Sequence, residues 1–98
     1  MATLPPLHMA ADIHKIKNLH FLTEDALPTA NAQMRRVADV LKAVALQDHQ
    51  EVLLSVQTTE GVERIQTIVV AAGDDFVLID TGFSLPMRSI EKIEFMKS

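Results

Sequence analysis

Two periods of apolar and polar residues divide the chain. Between Asn31 and Asp48, in NAQMRRVADVLKAVALQD, the residues Met34, Val37, Leu41 and Val44 recur at steps of three and four. That spacing predicts a helix with one apolar stripe. Arg35, Arg36, Asp39 and Lys42 lie off the stripe, and Thr29 or Asn31 stands where a helix N-cap is wanted. From Glu51 onward the period falls to two. EVLLSVQTT sets Val52, Leu54 and Val56 on one face of a strand. RIQTIVVAA is rich in β-branched residues, and DFVLID is a short apolar run suited to a strand covered on both faces. FSLPM alternates Phe83, Leu85 and Met87. SIEKIEF sets Ile90 and Ile93 three apart and Phe95 two later, which predicts a tight turn entering a last strand.

Gly61, Gly73 and Gly82 fall between these runs, where turns are expected. Pro86 interrupts a strand pattern and suits a sheet edge or a bulge. The expected fold is therefore α+β: an N-terminal helix, then a small, strongly bent five-stranded antiparallel β-barrel. Bending into a barrel protects edges that an open meander would leave bare. Val52, Leu54, Val56, Phe76, Leu78, Ile90 and Ile93 are the expected core, packed against the helical stripe, with DFVLID near an edge. Residues 31–98 form this domain. Residues 1–30 form an irregular arm, opened by LPP and nearly closed by Pro28. Within it IHKIKNLHFL admits a short strand, with Leu19 and Phe21 on one face if extended.

The chain has 98 residues, enough for one modest core, and aliphatic residues must build it, since there are four Phe and no Trp or Tyr. The absence of Cys excludes disulfides and thiolate metal sites. Residues 1–50 carry five acids and five bases, and residues 51–98 carry eight acids and four bases, so the second half holds the whole net charge of −4. Phosphate binding draws on clustered Lys and Arg, so this balance disfavours broad nucleic-acid binding. No stretch reaches the roughly 18–20 apolar residues of a membrane helix. MATLPPLHMA has two prolines and no base, unlike a signal peptide. The reading is a cytoplasmic protein with no membrane partner.

The succession of helix, alternating strand ending in Glu60-Gly61, DDFVLID and SLPMRSIEKIEF resembles the Sm-like and SH3-like small β-barrels over roughly residues 38–96. It resembles the bacterial Sm-like RNA chaperone in the order aspartate, Phe76-Val77-Leu78, turn, alternating strand and isoleucine turn. It is also similar to the Rho-binding antiterminator and to the YolD-like proteins. The chaperone resemblance implies RNA binding through a basic signature just before the final isoleucine turn. Here that place holds Met87-Arg88-Ser89, with Arg88 the one base. The antiterminator resemblance implies an acidic surface docking on a protein whose nucleic-acid-binding face is basic. The YolD-like resemblance implies a regulatory role.

Other chemistry is thinly supported. His8, His14 and His20 share one face only on an extended strand, whereas on a helix they point three ways. No metal site is expected from them. Asp74 and Asp75 are adjacent, with Asp80 nearby, but GDD is ordinary turn chemistry and no nucleophile accompanies it. Ser55, Ser84 and Ser89 lack a G-x-S-x-G setting. The expectation is a non-catalytic interaction module without a cofactor, a small regulator acting on transcription or RNA machinery through protein contacts. Its partner-binding residues would be Glu60, Glu63, Asp74, Asp75 and Asp80, facing a basic protein. The alternative is an Sm-like RNA-binding protein using Arg88. Unpaired strand edges suggest a homo-oligomer.

Overall fold

In the computed structural model, residues 7–9, 20–46 and 50–96 are described. The strands are β1 (Leu7–Met9), β2 (Val52–Thr58), β3 (Gly61–Thr67), β4 (Val69–Ala72), β5 (Phe76–Ile79), β6 (Ser84–Pro86) and β7 (Ile90–Phe95). The helix α1 spans Ala30–Val44, and a 3-10 turn at Met87–Ser89 joins β6 to β7. Thr29 caps α1: its hydroxyl accepts a hydrogen bond from the Ala32 amide at 3.2 Å, as its sequence position suggests.

The architecture is α+β, but the closed five-stranded barrel is corrected. Two antiparallel sheets form, β3-β2-β7 and β4-β5-β6, and β1 extends the first by running parallel to β3. The reason lies in RIQTIVVAA. This run, expected as one strand, breaks at Ile68 and serves both sheets as β3 and β4. Ile65, Thr67 and Val69 stay buried through the break, so the inward parity survives while the pairing partner changes. The chain returns to the first sheet through the 3-10 turn, and no ladder joins β6 to β7. Within the N-terminal arm, Leu7–Met9 pairs in parallel with Arg64–Gln66.

The core is built from Val52, Leu54 and Val56 of β2, Ile65, Val69, Val77, Ile79, Leu85, Met87 and Ile90, closed by Val40 and Ala43 of α1. The β2 and Ile90 expectations hold, and Ile93 is half-buried against the core. On β5 the face is reversed. Val77 and Ile79 are fully buried, Leu78 is half-buried and Phe76 is 43% exposed. Both parities of FVLI are apolar, so alternation alone could not choose between them. The choice follows from the flanking turns. Gly73 donates its amide to the Phe76 carbonyl, and a Cβ at Gly73 would run into the Phe76 ring. The ring thus lies over Gly73, outside the core. DFVLID is also no edge: β5 is the central strand of its sheet, whereas β6 with Pro86 is an edge.

The helix is turned relative to expectation. Its buried residues are Arg36, Val40 and Ala43; of the expected stripe Val44 packs half-buried against the core, while Met34 is 70%, Leu41 56% and Val37 41% exposed. An arginine holds the inward position because its guanidinium finds carbonyls and a carboxylate there, as described below.

Candidate functional site

Three segments converge at one end of the second sheet. The turn Gly73–Asp75 joins β4 to β5, the 3-10 turn follows β6, and residues 20–27 cross in front of both. Met87 donates its amide to the Asp75 carbonyl at 2.9 Å, extending the β5–β6 ladder (Phe76 opposite Pro86) into the turn. The 20–27 strap is stitched down along its length. The Thr59 amide donates to the His20 carbonyl, and Phe21 bridges to Thr58 beyond the point where β7 leaves β2. Arg88 Nε donates to the Leu22 carbonyl at 2.8 Å, and the Ala26 amide donates to the Arg88 carbonyl at 2.8 Å.

Arg36 fastens the strap from behind. Its Nη1 and Nη2 donate to the two Asp25 carboxylate oxygens at 2.8 Å each, and Nη1 also reaches the Ile90 carbonyl at 3.2 Å. Such a fork fits a guanidinium and not an ammonium. The Arg36 hydrogen bond holds the Asp25 carboxyl below its ordinary value against the opposing effect of burial, helped by the Leu27 amide.

The resulting cleft has a volume of about 400 Å³ and is lined by Asp25, Arg36, Asp74, Asp75, Met87 and Arg88. Asp25 already compensates Arg36. Among the described lining residues Asp74, Asp75 and Arg88 then remain, two carboxylates to one guanidinium. The exposed Phe76 ring follows directly on Asp75.

Of the sequence-predicted residues, the structure brings Asp74, Asp75 and Arg88 into this one cleft. It does not bring the others to it. Glu60 lies in the β2–β3 turn, where its amide donates to the Thr58 hydroxyl at 3.2 Å. Glu63 lies on β3 opposite Val56. Asp80 follows β5 and holds the bend between the sheets: its carboxylate accepts from the buried Thr67 hydroxyl at 3.1 Å, and its amide donates to the Ile68 carbonyl. The three histidines are not assembled among the described residues. His20 is exposed, and the side chain of His8 and all of His14 lie outside them. No group of three or more His, Asp or Glu suited to a metal occurs among the described residues. No helix among them is long and apolar enough to cross a membrane.

Sequence reading missed Asp25 and Arg36. A strap carboxylate eleven residues before a helical arginine has no fixed spacing that marks a pair. The one available signal was Arg36 sitting four residues before Val40, on the face opposite the more conspicuous stripe. Comparison with known proteins gives no family model, no curated protein and no solved structure that matches this chain.

Proposed function

We propose that this chain is a non-catalytic interaction module, a small regulator that reaches transcription or RNA machinery through protein contacts at the cleft between the Gly73–Asp75 and Met87–Ser89 turns. The observation that carries the reading is the composition of that cleft. Among the described residues its lining holds the three carboxylates of Asp25, Asp74 and Asp75, the two guanidiniums of Arg36 and Arg88, and Met87. An excess carboxylate at an open mouth suits a lysine or arginine of a basic protein, whose approach the acidic second half of the chain would also favour. The link to transcription and RNA rests on the resemblance to the small barrels.

Affinity capture with the intact chain, with and without nuclease, tests this reading. The bound protein should persist after nuclease and be lost when Asp74 and Asp75 are both changed to Lys. Persistence through the charge reversal would remove the cleft from the mechanism.

One observation favours the second reading, Sm-like RNA binding. Phe76 was expected in the core, which would have left few rings for base stacking, yet it is exposed beside the turn that carries Arg88. Anisotropy titration with single-stranded RNA separates the two. Submicromolar, salt-sensitive affinity lost on Arg88→Glu and Phe76→Ala selects RNA; no saturable binding at physiological salt selects the protein partner.

A further inference from the structure

β7 ends the first sheet, and the phase of its hydrogen bonds determines which of its groups face outward. The β2–β3 hairpin closes on Thr58 and Gly61 across the turn Thr59-Glu60, and a pair closing so short a turn exchanges both its hydrogen bonds. Thr58, Val56, Leu54 and Val52 thus direct their main-chain groups at β3, and Ser55 and Leu53 direct theirs at β7. The Thr59 amide, of the same phase as Ser55, leaves on that side too, to the His20 carbonyl. Lys92 and Glu94 stand opposite Ser55 and Leu53 and bond to β2; Ile93 and Phe95 stand opposite Leu54 and Val52 and turn their amides and carbonyls outward. No described element pairs with them there. α1 covers the start of this edge, where Arg36 Nη1 donates to the Ile90 carbonyl at 3.2 Å. Farther along, a cleft of about 370 Å³ opens between Ile93, flanked by Glu91 and Lys92, and Ala32, Arg35 and Asp39 of α1.

We infer that this cleft takes an extended segment of another protein, added to β7 as an antiparallel strand with the order basic, apolar, acidic. The main chain sets the mode of binding. An outward amide and carbonyl at Ile93, repeated at Phe95, are what a strand offers its neighbour, and a hydrogen-bonded pair at Ile93 fulfils both groups. The side chains set the sequence. The residue opposite Ile93 points to the same face as Ile93, where the half-buried Leu27 and Ala32 also line the cleft, and is apolar. The residue before it lies beside Glu94 and the residue after it beside Lys92, on the outer face, where those side chains are 47% and 65% exposed. A base at the first and an acid at the second set opposite charges across both positions. The 3.1 Å contact between Lys92 and Glu94 within the strand competes weakly, because an exposed pair contributes little. β7 itself reads Lys92-Ile93-Glu94, so a second copy would match in charge. Its own α1, fixed to its own edge through Arg36, would enter the same cleft, so the occupant is a segment without such a flank. Arg36 stands in the walls of both this cleft and that of the proposed function, but the charges that select the ligand differ, so each reading can fail without the other.

Amide NMR of the intact chain with synthetic peptides tests it. In the free chain the amides of Ile93 and Phe95 should exchange with solvent faster than those of Lys92 and Glu94. The peptide Ser-Thr-Lys-Val-Glu-Thr-Ser, capped at both ends, should bind saturably, shift the Ile93 and Phe95 amide signals and slow their exchange. N-methylation of its valine removes the donor that meets the Ile93 carbonyl and should abolish saturable binding. Exchanging its charges, as Ser-Thr-Glu-Val-Lys-Thr-Ser, should weaken binding at least about threefold. The exposed double change Lys92→Glu with Glu94→Lys should reverse that preference and keep the native circular dichroism spectrum. Equal protection of the four amides in the free chain overturns the inference, as does binding indifferent to N-methylation or to the exchange of charges. No binding at millimolar peptide, or self-association of the chain through Ile93, overturns it as well.

Discussion

Arg36 and Asp25 meet through two hydrogen bonds of 2.8 Å, from an arginine side chain that is 6% exposed to a carboxylate that is 27% exposed. This pair couples three parts of the molecule. It fixes the strap to α1 and, through the Ile90 carbonyl, fixes α1 to the start of β7. Removing the arginine strands a partly buried carboxylate and frees that carbonyl. Arg36→Met should therefore destabilise the fold by about 2–3 kcal/mol, between the value of a charged hydrogen bond and that of a broken buried pair. Arg36→Lys should recover little, because an ammonium cannot contact both oxygens and the carbonyl together. Urea denaturation measures both; equal stability of Arg36→Lys and the parent would show that the fork geometry is immaterial.

Acid should loosen the strap. The Asp25 carboxyl titrates below its unfolded value because the Arg36 hydrogen bond favours the charged form. A group depressed in the folded state binds its proton more readily when unfolded. Its stabilisation is full above the unfolded pKa, about 3.9, and is lost as pH falls through the lower folded value. Below pH of about 4 the parent should lose stability more steeply than Asp25→Asn, which should be weaker at neutral pH and flatter in acid. Thermal melts at a series of pH values compare the two; parallel curves would place the acid response elsewhere.

The strand pattern was legible where polar and apolar residues alternate strictly. Val52, Leu54 and Val56 are buried as their spacing requires. Legibility failed where both faces are apolar or where a charged residue turns inward. In FVLI neither parity is polar, and the Phe76 ring over Gly73 decides it through a contact with no periodic signature. In α1 the stripe of Met34, Val37, Leu41 and Val44 is the stronger pattern, yet Arg36, Val40 and Ala43 face the core and, of the stripe, Val44 packs against it. A buried arginine is legible only with its partners, and these lie on the strap and the 3-10 turn, 11 and 52 residues away. The cleft was legible in part: Asp74, Asp75 and Arg88 belong to turns that the glycine and the isoleucine spacing mark, but nothing in one dimension sets those turns side by side.

The reversed face of β5 carries its own prediction. Ile79 is fully buried and Leu78 is only half-buried. Ile79→Ala should cost about 2–5 kcal/mol through lost transfer energy and a residual cavity. Leu78→Ala should cost around 1 kcal/mol, nearer the ordinary range for a partly exposed site. Paired melts of the two variants read this out, and a larger loss at Leu78 would restore the opposite parity.

Among the acidic residues, Asp80 should behave unlike Asp74 and Asp75. Its carboxylate is committed to the hydroxyl of Thr67, a residue 1% exposed at the bend where β3 gives way to β4. Asp80→Ala leaves a buried hydroxyl without that acceptor, and an unmade buried hydrogen bond costs more than a made one contributes. The loss should be about 1–2 kcal/mol, whereas Asp74→Ala and Asp75→Ala, both exposed, should stay within about 0.5 kcal/mol of the parent. Replacing both partners, as Thr67→Val with Asp80→Ala, should restore part of the loss, because no polar group is then left unpaired. A double-mutant cycle by chemical denaturation gives the coupling directly. If the cycle shows no coupling, Asp80 returns to the exposed acids and belongs in the charge-reversal test of the partner surface. If it does, reduced capture of a partner by Asp80 variants reflects the bend between the sheets, and the binding test rests on Asp74 and Asp75 alone.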